Sequence, residues 1–213
     1  MRLEQLDRRR PGQGDRRREA LLQAMDELLR EKDFPEIAVG EVTQRAGVTR
    51  SAFYFYFEST AACVAALGAA IYVDAIAATG HLSDHTLPPA RRLTMLMDEL
   101  LASIVEHHYL YRATLEAARR SPAIRELWDG YLESFVTPVA AFVRAERRAG
   151  AAPAGPDATL LARLLLDLSD RALESVDAGD PAGTRRTADA LATVWLRTVY
   201  GTTDQIRRRP PTA

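Results

Sequence analysis

Residues 39–57, Val-Gly-Glu-Val-Thr-Gln-Arg-Ala-Gly-Val-Thr-Arg-Ser-Ala-Phe-Tyr-Phe-Tyr-Phe, constrain this chain more than any other stretch. They read as two short helices about a glycine. The first runs from about Val39 to Ala46, where Val42 and Ala46 lie four apart and share one face. Gly47 supplies the left-handed backbone that closes a helix and turns the chain sharply. Val48 plugs the corner, and Thr49 suits the N-cap of a second helix beginning at Arg50. Phe53 and Phe57, again four apart, turn toward the same core as Val42. This spacing predicts a helix-turn-helix, a unit whose second helix enters the major groove of DNA. The open face of that helix carries Arg50, Ser51 and Tyr54. Guanidinium groups read guanine edges or hold phosphate, and hydroxyls reach phosphate oxygens.

A net charge of −1 over 213 residues does not advertise nucleic-acid binding, so any basic surface has to be local. It is local. Arg8, Arg9, Arg10, Arg16, Arg17 and Arg18 crowd the start, and Arg207, Arg208 and Arg209 sit in the tail. Lys32 is the sole lysine. Apolar residues make up 47%, enough for a substantial core, and the length fits a small head with a larger body. Cys63 is the one cysteine, so no intrachain disulfide forms, and a reducing cytoplasm is the expected location. The first residues carry arginines with no apolar run behind them, so no signal peptide is expected. The stretch Ser59 to Val73 is uncharged but short for a membrane span and ends at Asp74, so no membrane association is expected.

Helical periodicity runs through the whole chain. Helices are predicted over 15–32, with Leu21, Met25 and Leu28 inward, then over the two motif segments, and over 59–79 behind a Ser59 cap. A loop is expected from Gly80 to Pro89, then a helix over 90–107 with Leu93, Leu96, Met97, Leu100 and Ile104 inward. A shorter helix covers 112–119. Ser121-Pro122 opens another that runs to Arg148, where Pro138 should introduce a kink. Gly150 to Pro156 breaks the chain, and two last helices cover 157–177 and 181–200. No strand-like alternation and no glycine-rich phosphate loop is present. Gly-x-Ser-x-Gly, His-Glu-x-x-His and Cys-x-x-Cys are missing too, so the chain does not read as an enzyme and no cofactor is expected.

Residues 15–60 resemble the DNA-binding head of the TetR family of bacterial regulators. The resemblance rests on Ala46-Gly47-Val48-Thr49-Arg50 followed by Phe53-Tyr54-Phe55-Tyr56-Phe57. The body segments Glu126-Leu127-Trp128, Ala145 through Pro153, and Trp195 through Gly201 are similar to the ethionamide-repressor subgroup of that family. The resemblance implies an all-α, nine-helix fold with four parts. Residues 1–14 would be a flexible arginine-rich arm, 15–60 the helix-turn-helix domain, 61–203 the ligand-binding and dimerisation domain, and 204–213 a basic tail. The chain departs from the family at Ala38, where Ser or Thr commonly caps the second helix. It also departs at Gly40, inside that helix, and at Thr60, where a lysine is usual.

On this basis the expected DNA contacts are Thr43, facing out from the first motif helix, with Thr49, Arg50, Ser51, Tyr54 and Thr60, and Arg16 and Arg17 beside the arm. Tyr56 belongs with them either as a phosphate contact or as a ring packed on the first helix. The resemblance implies an elongated apolar effector pocket walled by Trp128, Tyr131 and Phe135, with Met97, Leu100, Ile104, Thr114 and Leu168 around it. Ser169 falls where the subgroup places an asparagine, a residue this chain lacks altogether. The leucine-rich last two helices are expected to pair two copies through Leu160, Leu164, Leu191, Val194 and Trp195. His81 and His85 read as a solvated loop, and His107-His108 as a helix end. Cys63 reads as a small buried residue, so no metal site is expected. The leading expectation is a homodimeric transcriptional regulator, a repressor released from operator DNA by an apolar small molecule. An activator of the same architecture, a DNA-binding protein with no effector and a small helical enzyme stay open as alternatives.

Overall fold

The computed structural model describes residues 15–201. Among these residues there are nine α-helices and no strand, as the periodicity predicts. The expected arm, 1–14, and the tail from 204 on, with Arg207, Arg208 and Arg209, lie outside the described residues.

In chain order the helices are α1 (Asp15–Glu31), α2 (Val39–Arg45), α3 (Arg50–Tyr56), α4 (Thr60–Ala78), α5 (Pro89–Glu106), α6 (His108–Arg120), α7 (Pro122–Arg148), α8 (Ala158–Leu173) and α9 (Pro181–Tyr200). Three boundaries differ from expectation. Part of the loop before α5 is a 3-10 helix, Thr79–Ser83. α6 begins at His108 rather than near 112, with His107 as its N-cap, so the paired histidines start a helix instead of ending one. α8 stops at Leu173, short of the 177 expected. Pro138 lies inside α7, which nonetheless continues through 27 residues.

The chain divides into two compact units. One comprises the described residues up to Val73 together with His107–Tyr131, and the other comprises Asp74–Glu106 with the residues from Leu132 on. α6 and the opening of α7 cluster with the helix-turn-helix.

In the first unit α1 buries Leu21, Met25 and Leu28 against Val42, Phe53 and Phe57 of the motif. Glu31 and Arg45 pair at 2.9 Å, and Lys32 pairs with Glu41, so two ion pairs tie α1 to α2. Polar links to α6 are equally direct. The Tyr109 hydroxyl donates to Asp26, and the Arg30 guanidinium lies 4.4 Å over the Tyr109 ring. Tyr72 stacks on Tyr131 at 4.4 Å between ring centres, and Tyr111 meets Trp128 at 5.9 Å. The stretch Thr60–Ser83 is long and apolar enough, by length and composition, to cross a membrane. The helix α4 within it runs past Asp74 to Ala78, close to the expected 59–79. Ala62, Cys63 and Val64 of this stretch are fully buried, as in a core helix.

In the second unit α5 and α9 share the core of Leu93, Met97, Leu101, Leu191, Trp195 and Val199. A buried ionic cluster lies among them. The Arg92 guanidinium donates to Glu146 at 3.0 Å and to the Leu82 carbonyl at 2.9 Å, and Tyr200 donates to the other Glu146 oxygen at 2.8 Å. Arg92 also lies 5.5 Å from the centre of the Phe142 ring. Both terminal guanidinium nitrogens and both Glu146 oxygens are engaged, while the buried Arg92 Nε has no hydrogen-bond partner.

Candidate nucleic-acid interface

The helix-turn-helix forms as its residues dictate. Gly47 sits at φ 65°, a conformation in which any side chain would be strained, and it lets Val48 N–H return to the Thr43 carbonyl at 3.0 Å. The Thr49 hydroxyl accepts the Ala52 N–H at 3.2 Å and so starts α3. Phe53, Phe57 and Val42 are fully buried together. Ala38 supplies no side-chain cap to α2, but Glu41 accepts the Ala38 N–H at 3.0 Å, the reciprocal half of a capping box whose Ser or Thr half is missing. That bond and the Lys32 ammonium hold the Glu41 carboxyl below the ordinary carboxylate range. Gly40 has a local use as well. A Cβ there would lie 2.9 Å from the Arg50 guanidinium, which rests over the first turn of α2.

Burial on one side leaves a clear opposite face. Thr49, Arg50, Ser51 and Tyr54 are exposed, with Arg16 and Arg17 exposed at the start of α1. Thr60 is half-buried at the first turn of α4, beside Ser59, whose hydroxyl accepts the Ala62 N–H at 3.1 Å. Two expected contacts are placed otherwise. Thr43 does not face out. It is buried, and its hydroxyl donates to the Gly40 carbonyl at 3.0 Å, a local bond that lets a threonine enter a core. Tyr56 is buried. Phe55, part of the aromatic run 53–57 but not among the expected contacts, is exposed on α3. Its spacing of four from Ser51 was the available signal.

The expected effector residues divide between the units. Thr114, Trp128 and Tyr131 belong to the first. Thr114 is buried, with its hydroxyl donating to the Leu110 carbonyl at 2.9 Å, and the Trp128 indole nitrogen is buried without a hydrogen-bond partner. Burial pushes the Tyr131 phenol up to about 12, with the stacked Tyr72 adding to it. Met97, Leu100, Ile104, Phe135, Leu168 and Ser169 belong to the second unit. Met97 and Ile104 are buried, while Leu100 and Phe135 are half-buried. Leu168 is 46% exposed on α8. Ser169 is buried but already engaged. It donates to the Leu165 carbonyl at 2.8 Å and accepts the Trp195 indole N–H at 3.0 Å. A cleft of about 340 Å³ in this unit is lined by Leu101, Val105, Ala188, Asp98, Thr184 and Arg185 among others, and none of the expected effector residues borders it.

The expected interface residues separate cleanly. Leu160, Leu164 and Val194 are exposed, and Leu168 extends the row Leu160–Leu164–Leu168 along α8 at intervals of four. Leu191 and Trp195 are buried within the chain and present no surface to a second copy. Cys63 is fully buried, and desolvation pushes its thiol up to about 12, which removes it from redox chemistry at neutral pH. His81 pairs with Glu99, and His85 lies 3.7 Å from Glu146. Among the described residues no three metal-ligating side chains come together.

Comparison with known proteins agrees with this architecture. Residues 21–67 match the family model described as bacterial regulatory proteins of the tetR family, and residues 94–201 match that of the C-terminal domain of the transcriptional regulator EthR. The chain is 31% identical to the HTH-type transcriptional regulator EthR of Mycolicibacterium smegmatis over 193 residues, 89% of this chain and 88% of that one. The chain belongs to the TetR family and is EthR-like. The EthR of Mycobacterium tuberculosis is 29% identical over 192 residues, 88% of this chain and 89% of its own. The solved structure of SmeT, repressor of the Stenotrophomonas maltophilia multidrug efflux pump SmeDEF, shares the fold. It has a TM-score of 0.65 at 19% identity, covering 92% of this chain and 97% of that chain. The chain is thus a helix-turn-helix transcriptional regulator of a DNA-binding family, and not an enzyme.

Proposed function

We propose that this EthR-like regulator is a homodimeric repressor whose grip on operator DNA is released by an apolar small molecule. The observation that carries the DNA half is the exposed row Arg50, Ser51 and Tyr54 on an α3 that Thr49 caps and Phe53 and Phe57 anchor. A rigid helix with a polar outer face suits entry into the major groove, with Thr49 and Thr60 near phosphate and Arg16 and Arg17 adding charge. Pairing of two copies is supported by Leu160, Leu164, Leu168 and Val194, four large apolar side chains left in solvent on α8 and α9. Two such faces form a four-helix contact and hold two heads at the spacing of successive major grooves, about 34 Å.

The effector reading draws on the EthR-type C-terminal segment, residues 94–201, and on the aromatic residues at the start of α7. With Ser169 engaged by Trp195, the unpartnered Trp128 indole N–H is the better anchor for the effector's polar group. The compound would then be apolar with a hydrogen-bond acceptor, and it acts in the cytoplasm, where operator DNA lies. The test is a footprint of the protein on the promoter regions beside its own gene, repeated with Arg50→Ala and with compounds taken from a thermal-shift screen. Arg50→Ala should cost about 1–3 kcal/mol of operator affinity if it reads a base. A footprint that no thermally stabilising compound removes would return the chain to the reading without an effector.

A further inference from the structure

Among the described residues the large apolar side chains left in solvent are few. Leu160, Leu164, Leu168 and Val194 belong to the proposed pairing face, Tyr54 belongs to the DNA face, and Val73 stands alone on α4. Phe55 is left over. It is 43% exposed and sits on α3 four residues after Ser51 and one after Tyr54. With 100° between successive residues, Arg50, Tyr54, Ser51 and Phe55 lie in that order around an arc of roughly 140°. Phe55 therefore closes one side of the face whose other side is Arg50. Its ring is propped rather than loose, standing edge-on against the Tyr56 ring at 4.9 Å and 87°. Tyr56 is itself buried in the head.

We propose that Phe55 is a specificity residue that reads a thymine methyl group in each operator half-site, a reading that rests on the DNA-binding role of α3. A phenylalanine ring neither donates nor accepts a conventional hydrogen bond, so it cannot read the donor and acceptor pattern of a base pair. It gains nothing against phosphate oxygens. The one feature of the major groove that suits it is the C5 methyl of thymine, the apolar element of the groove code. Placing the ring there removes both the ring and the methyl from water. Arg50 and Phe55 then divide the work, with the guanidinium selecting hydrogen-bonding edges and the ring selecting methyl groups a few ångströms away along the same groove.

The experiment starts from a duplex selected by the full-length protein out of a random-sequence pool. That duplex is resynthesised with uracil in place of thymine, one position at a time, which removes the methyl and keeps the base pair. Wild-type protein should lose affinity about fourfold at one or two positions of each half-site, the effect of one methyl group left unburied. Phe55→Ala should bind the thymine and uracil duplexes equally at those positions, and Phe55→Leu should keep part of the discrimination. Both variants alter an exposed side chain, and circular dichroism verifies that they fold. Two results would overturn the assignment: a wild-type protein indifferent to every thymine methyl, or a Phe55→Ala variant that still discriminates as wild type does. Failure of the wild-type protein to select any sequence would instead overturn the DNA reading of α3 itself.

Discussion

The Trp195 indole N–H donates to Ser169 Oγ at 3.0 Å, joining α9 to α8 inside one chain. Two residues that the sequence assigns to different tasks, dimer contact and effector handle, satisfy one another. Ser169→Ala would leave the indole N–H buried without an acceptor. It should lower stability by about 1–3 kcal/mol in urea unfolding. If the variant kept full stability and lost effector binding instead, Ser169 would be a ligand contact after all.

Breaking the Arg92–Glu146 pair should be far more damaging. Glu146→Ala leaves a buried guanidinium uncompensated and also removes the acceptor of Tyr200, for an expected loss of about 3–5 kcal/mol. The double change Arg92→Met with Glu146→Leu removes both charges and should recover most of that loss. Thermal unfolding of the three proteins gives the comparison. A double variant no better than Glu146→Ala would mean that the pair contributes net stability through its hydrogen bonds.

Leu164→Glu changes a residue that is 58% exposed in the single chain, so the fold should survive. The expected product is a folded monomer with weak operator binding, measured by sedimentation and mobility shift. A Leu164→Glu protein that remained a dimer with unchanged DNA affinity would place the pairing face elsewhere.

Alkaline titration has a defined direction. Burial, reinforced by Asp26, pushes the Tyr109 phenol up to about 12, and burial pushes Tyr131 to a similar value. Tyr200 is raised further by burial and by Glu146. Below the ordinary tyrosine range, about 10, folded and unfolded chains hold these protons alike and the stabilisation is intact. As pH rises from there toward about 12, the unfolded chain sheds the protons first and stability falls. Ultraviolet titration should show these three phenols ionising late, and Tyr109→Phe should remove one of the late steps.

What could be read in the sequence was what neighbouring residues decide. Gly47, Thr49 and the Phe53–Phe57 spacing act within one or two turns, so the helix-turn-helix and its open face follow from the residues alone. Thr43 misled because its hydroxyl finds the Gly40 carbonyl three residues back, and a polar side chain satisfied locally can be buried. On α8 the exposed row 160–164–168 and the buried row 161–165–169 are equally regular. A register of one residue separates surface from core, and only packing against α9 chooses between them. Arg92, Glu146 and Tyr200 come together from distant parts of the chain, with no spacing to announce them. The one hint was an arginine on the otherwise apolar face of α5.

The clustering of His107–Tyr131 with the helix-turn-helix bears on how such regulators can be rewired. A DNA-reading module excised at residue 60 and grafted onto another sensor would leave Asp26 and Arg30 behind without Tyr109, and α1 without α6. By contact, the residues from α1 to Val73 group with a second segment more than thirty positions downstream. Chimaeras that exchange recognition should therefore transplant side chains of α3 into the resident head rather than swap heads at a single junction.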